Sequence, residues 1–108
     1  MNFSINIICR NDLVAEKRHL AENLLSALSI DSRIEFSTYW KDKQLSQAIL
    51  GATLQSPDFN LLKDKLSEIA GAEVALSASL DEWEFSHYAA QEALLGNSNE
   101  AFLVCQIF

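Results

Sequence analysis

The stretch from Asn99 to Phe108 is apolar in both alternating registers: Phe102 and Val104 fall on one side, Leu103, Cys105 and Ile107 on the other. A strand of that kind needs cover on both faces, so it reads as a central strand even though it closes the sequence. Asn2 to Arg10 makes a related demand. Phe3, Ile5, Ile7 and Cys9 alternate with Asn2, Ser4 and Asn6, and Ile8 breaks the alternation where the second face also needs cover. A fold that satisfies both stretches is a sheet with helices packed on it.

The helices are expected between these ends. Leu13, Val14, Leu20, Ala21, Leu24, Leu25 and Leu28 recur at helical spacing after Asn11-Asp12, a natural N-cap, while Glu16, Lys17, Arg18, Glu22 and Asn23 fill the other face. This predicts a helix from Leu13 to about Ser29. Ser56-Pro57-Asp58 reads as a second start, with Ser56 as N-cap, Pro57 at the first helical position and Asp58 complementing the dipole. Phe59, Leu62, Leu66 and Ile69 share one face, and Gly71 ends the helix.

Arg33 to Trp40 alternates as a strand, Lys41-Asp42-Lys43 reads as a charged turn, and Gln44 to Ala52 reads as a short helix carrying Leu45, Ala48 and Ile49. Glu73 to Leu80 reads as a strand with Val74, Leu76, Ala78 and Leu80 on one side and small or polar residues on the other. Asp81 to Leu95 supports two readings. It is a helix capped by Asp81 and Glu84, or a strand from Glu82 to His87 followed by a short helix from Tyr88 or Ala89 to Leu95. The second is preferred. The expected fold is one α+β domain, with a mixed or antiparallel sheet of four to five strands and two main helices; a ferredoxin-like arrangement is one of several that fit.

Charge narrows the function. All eight lysines and arginines lie at or before Lys65, and the net charge is −7. From Leu66 onward the chain carries Glu68, Glu73, Asp81, Glu82, Glu84, Glu92 and Glu100 with no basic residue. Nucleic acid and anionic membranes are poor partners for such a chain, because their phosphates need lysine and arginine. A basic protein suits it better. No apolar run approaches the roughly 20 residues of a membrane span, and the first residues read as a strand rather than a signal peptide. Cys9 and Cys105 make no disulfide framework and are expected as buried thiols. A cytoplasmic setting is the expectation.

No catalytic signature is legible. The sequence has no serine–histidine–aspartate arrangement, no glycine-rich phosphate loop and no spaced metal-ligand set, so no catalytic residue, cofactor or metal is expected. His19 reads as a solvated helix residue. His87, beside Tyr88 and acidic neighbours, is the one conceivable acid–base group, and an enzyme built on it is the third reading. The second is a regulatory or assembly domain that self-associates through a sheet edge or a Trp/Tyr patch. The first is a protein-binding surface made of Asp81, Glu82, Trp83, Glu84, Tyr88 and Tyr39, where aromatic contact area meets a negative rim. Trp83, Trp40 and Phe85 read equally well as core residues.

In overall character the chain resembles the immunity proteins of bacterial polymorphic toxins, including those of contact-dependent growth inhibition systems. The resemblance is carried by its small acidic single domain, the charge asymmetry and the segment Asp81-Glu82-Trp83-Glu84-Phe85-Ser86-His87-Tyr88. It implies a non-enzymatic protein that binds and neutralises a cognate toxin, often a basic nuclease, by covering the active site with acidic residues.

Overall fold

In the computed structural model, which describes residues 1–56 and 58–108, the two segments apolar on both faces are the two middle strands. Along the chain run β1 (Asn2–Arg10), α1 (Val14–Ala27), β2 (Ser37–Tyr39), β3 (Asp42–Thr53), α2 (Phe59–Ala70), β4 (Ala75–Ser79), β5 (Glu82–His87), α3 (Gln91–Leu95) and β6 (Ala101–Ile107). The six strands form one sheet in the order β2-β3-β1-β6-β5-β4, antiparallel throughout. β1 lies between β3 and β6, paired with Ile5 opposite both Leu50 and Cys105.

α1 and α2 cover one face. Under them lie Phe3, Ile5, Ile7 and Cys9 of β1, Leu103, Cys105 and Ile107 of β6, and Phe85 of β5, against Ala21, Leu24, Leu25, Leu62, Leu66 and Ile69 of the helices. Each large side chain buried here contributes about 1.5–3 kcal/mol relative to exposure. The opposite face has a much smaller cover. α3 lays Leu94 on Ile8 and Leu45, with Tyr39, Ala89, Leu95 and Phe102 around them. Ile8 thus breaks the alternation of β1 because α3 sits over it.

Local signals set the helix ends differently from the sequence reading. Asn11 does not cap α1. Its side-chain amide donates to the Lys43 carbonyl and its oxygen accepts from the Ser46 hydroxyl, and the helix begins through a 3-10 turn at Asn11–Leu13. α2 is capped by Asp58 rather than Ser56: the Asp58 carboxylate accepts from the backbone N–H groups of Asn60 and Leu61. The expected role of Pro57 lies outside the described residues. Gly71 closes α2 at φ 70°, a left-handed conformation that glycine adopts without penalty.

Lys17 is a larger correction. It does not join the solvated face of α1; its side chain is fully buried and its ammonium meets Glu100 at 2.5 Å. Lys17, Ala21 and Leu24 follow at helical spacing on the core stripe.

The sheet also has more strands than the four to five expected, because Gln44 to Ala52 is strand rather than helix. The spacing of Leu45, Ala48 and Ile49 fits a helix, but the segment pairs with the whole of β1, from Asn2 opposite Thr53 to Arg10 opposite Leu45. In the strand Leu45 faces α3 and Ala48 faces the helical layer, while Ile49 is exposed. The reading of Arg33 to Trp40 as one strand also shortens, to Ser37–Tyr39, since Ile34 instead plugs into the helix-side core.

Candidate protein-binding surface

β4 and β5 form a hairpin whose two-residue loop is Leu80-Asp81, with Asp81 at φ 55°. Aspartate tolerates this left-handed conformation better than most residues. Across the pair, Ser77 sits opposite Glu84 and Ser79 opposite Glu82, so these four share the face away from α1 and α2. Ala78 sits opposite Trp83 and Leu76 opposite Phe85 on the helical face.

Glu84 is the ordered centre of the exposed face. Its carboxylate accepts from the Tyr88 hydroxyl at 2.8 Å and from the Gln106 amide at 3.2 Å. The hydrogen bond to Glu84 raises the Tyr88 pKa, since a phenolate there would face a carboxylate. The Tyr88 ring tilts against Phe102 at 5.4 Å between centroids, and the residue stays 62 % exposed. Among the described residues, Asp81, Glu82 and Glu84 form no salt bridge.

The expected site residues therefore separate. Glu82, Glu84 and Tyr88 share one surface, with Asp81 at the hairpin tip. Trp83 lies on the other side of the sheet, its ring 5.1 Å from that of Phe59 and packed against the core. Tyr39 is not beside them, because β3, β1 and β6 lie between β2 and β5. It packs on the same small apolar cluster under α3 as Phe102, so α3 forms the ridge between Tyr39 and Tyr88. Trp40, in the turn next to Tyr39, is 78 % exposed.

The seven late carboxylates do not converge on one surface, and two are compensated. Glu73 pairs with Lys63 at 3.2 Å, just beyond the end of α2, and Glu100 pairs with Lys17, which ties the start of β6 to α1. Glu68 rides on α2 and Glu92 on α3. The densest part of the field that remains is the β5 hairpin, with Asp81, Glu82 and Glu84.

The sequence reading missed the walls around this hairpin. Ser77, Ser79, Glu82, Glu84, Gln106 and Phe108 line an open concavity at the edge of the sheet. The available signal was the run of small residues in Ala75-Leu76-Ser77-Ala78-Ser79, every one of which is exposed. His87 is oriented by Asn99, with Nε2 3.1 Å from Oδ1, and His19 is exposed on α1. Among the described residues no three histidine, cysteine or carboxylate groups gather as a metal set, and no helix is long and apolar enough to cross a membrane. Comparison of the chain with protein-family models, with curated proteins and with solved structures finds no match.

Proposed function

We propose that this is a non-catalytic binding protein that docks a basic protein through the exposed face of the β5 hairpin, and that the partner is a toxin domain which it neutralises, as in the immunity proteins it resembles. The observation that carries this reading is Glu84: a carboxylate held in place by two neutral donors, in no salt bridge among the described residues, beside an exposed tyrosine. Fixing the acceptor before binding lowers the ordering cost of an interface. The charge around it favours encounter with a basic surface. Within this proposal the frame is read as ferredoxin-like. The order β2-β3-β1-β6 supports that reading, with β4, β5 and α3 as an insertion before the last strand.

The test is co-purification from the native host with tagged wild-type protein and a Glu82→Lys/Glu84→Lys variant. A basic partner that is retained by the wild type, lost in the variant and released by salt supports the reading. An acidic partner, or one held equally by both proteins, removes the hairpin from it.

Self-association is the second reading, and the open edge of β4 favours it. Sedimentation across a wide concentration range decides it, because a strict monomer counts against it.

A further inference from the structure

The two edges of the sheet are built differently. β2 is three residues long, its pairing with β3 is irregular between Thr38 and Tyr39, and charged Lys41 and Lys43 follow it. A short strand, an irregularity and lysines are the usual defences of an edge against further pairing. β4 has none of them. It is five residues in regular register, without proline or charge, and all five are exposed. Leu76 within the strand is 48 % exposed, and Leu80 just after it 94 %.

The two-residue loop makes Ser79 and Glu82 the hydrogen-bonded pair next to the turn, so Ser77 and Ala75 also direct their N–H and C=O toward β5. Leu76 and Ala78 therefore turn theirs outward, where no strand among the described residues receives them. Serines at 77 and 79 are too short to cover Glu84 and Glu82 behind them, and all four line the concavity with Gln106 and Phe108. Strands lie about 4.8 Å apart, so Glu84 is about two strand spacings from any chain added at β4. A lysine or arginine on that chain spans most of this distance over the serines.

We infer that β4 takes up an extended segment of the partner as a seventh strand, with alternate basic side chains lying across Ser77 and Ser79 onto Glu84 and Glu82. This rests on the reading of the protein as a binder of a basic protein and assigns its mode of docking. Charge selects a foreign segment over a second copy of the chain. Antiparallel self-pairing centred on Ser77 would bring two uncompensated β5 hairpins together. A basic strand meets only unlike charge on β5. Main-chain hydrogen bonds supply the attachment, and the alternate side chains supply the selectivity.

The test uses the full chain and three synthetic peptides: alternating lysine and valine, the same sequence N-methylated at every second residue, and alternating glutamate and valine. Amide exchange and shifts are followed by NMR. The lysine peptide is expected to slow exchange at Leu76 and Ala78 and to shift Gln106. N-methylation, which removes hydrogen bonds and keeps the charge, weakens binding about tenfold or more, as loss of one or two net hydrogen bonds implies. The glutamate peptide leaves the spectrum unchanged. Ala78→Pro, which removes an outward N–H on an edge where proline is tolerated, should lose the same affinity with its fold intact. Equal binding of the methylated peptide, or shifts at the hairpin with none at Leu76 and Ala78, overturns edge pairing and leaves the acidic surface standing. No binding by the lysine peptide, when a basic partner still co-purifies in a Glu84-dependent way, also overturns it. Dimerisation through β4 in the protein alone would replace the foreign strand with a second copy.

Discussion

Lys17 Nζ lies 2.5 Å from Glu100 Oε2, joining the first turn of α1 to the residue that precedes β6. The partners are unequally placed: the Lys17 side chain is fully buried, and that of Glu100 is half exposed. Gly71 stands against the same carboxylate, where a Cβ would overlap the Glu100 side chain. One ion pair thus meets α1, the end of α2 and the entry to β6.

The asymmetry predicts unequal costs. Glu100→Ala leaves a buried ammonium without a counter-charge and should cost about 2 kcal/mol, below the roughly 3–5 kcal/mol of a fully buried pair because water reaches the carboxylate. Lys17→Met replaces the buried charge with an apolar chain of similar length and should be neutral or stabilising. Urea midpoints measure both, and a larger loss for Lys17→Met would show that the ammonium is not desolvated.

Both thiols should be inert while the protein is folded. Burial raises the Cys9 pKa to about 11, against a partial lowering by nearby Lys17, and burial alone raises Cys105 to about 12. At pH 8 neither carries appreciable thiolate, and the thiolate is the nucleophile. Reaction with a disulfide reagent should follow the unfolding equilibrium as urea is added. Fast labelling of either cysteine in buffer contradicts this placement.

Tyr88 should report on the hairpin. Its pKa lies above the usual phenol value chiefly because the hydroxyl donates to Glu84. Glu84→Gln keeps a hydrogen-bond acceptor and removes the charge, so the titration of Tyr88 should move down toward the ordinary phenol range. Phenolate absorbance in a Tyr39→Phe background measures it. An unmoved titration would mean that the tyrosine does not hold Glu84 in solution.

The two tryptophans should differ in emission. Trp40 is 78 % exposed, whereas Trp83 packs on Phe59 and the helix-side core. Trp40→Phe should shift the remaining emission to the blue and sharply reduce quenching by acrylamide. Trp83→Phe should do the reverse, and equal quenching of both variants would displace Trp83 from the core.

Sequence alone determined what short-range periodicity can carry. The double-sided apolar run of β6, the break at Ile8, the apolar stripe of α2 with Gly71 beyond it, and the strand from Glu82 to His87 all have the cause expected of them. The acid and aromatic surface was legible to the extent of Glu82, Glu84 and Tyr88, because alternation assigns strand residues to faces without knowledge of neighbours.

Tertiary structure decided the rest. Gln44 to Ala52 carries Leu45, Ala48 and Ile49 at a spacing that reads as a helix, and only pairing along the whole of β1 makes it a strand. Those hydrogen bonds join residues more than thirty positions apart, and no local propensity encodes them. Lys17 stood on the same stripe as Ala21 and Leu24, but a charged residue is assigned to water until its partner is known, and Glu100 is 83 positions away. Likewise only strand order and sheet face set Tyr39 and the Trp83 ring apart from Glu82, Glu84 and Tyr88. The acidic hairpin persists for the opposite reason: β4, β5 and β6 bring no cation of their own, and neither Lys63 nor Lys17 spends its charge there.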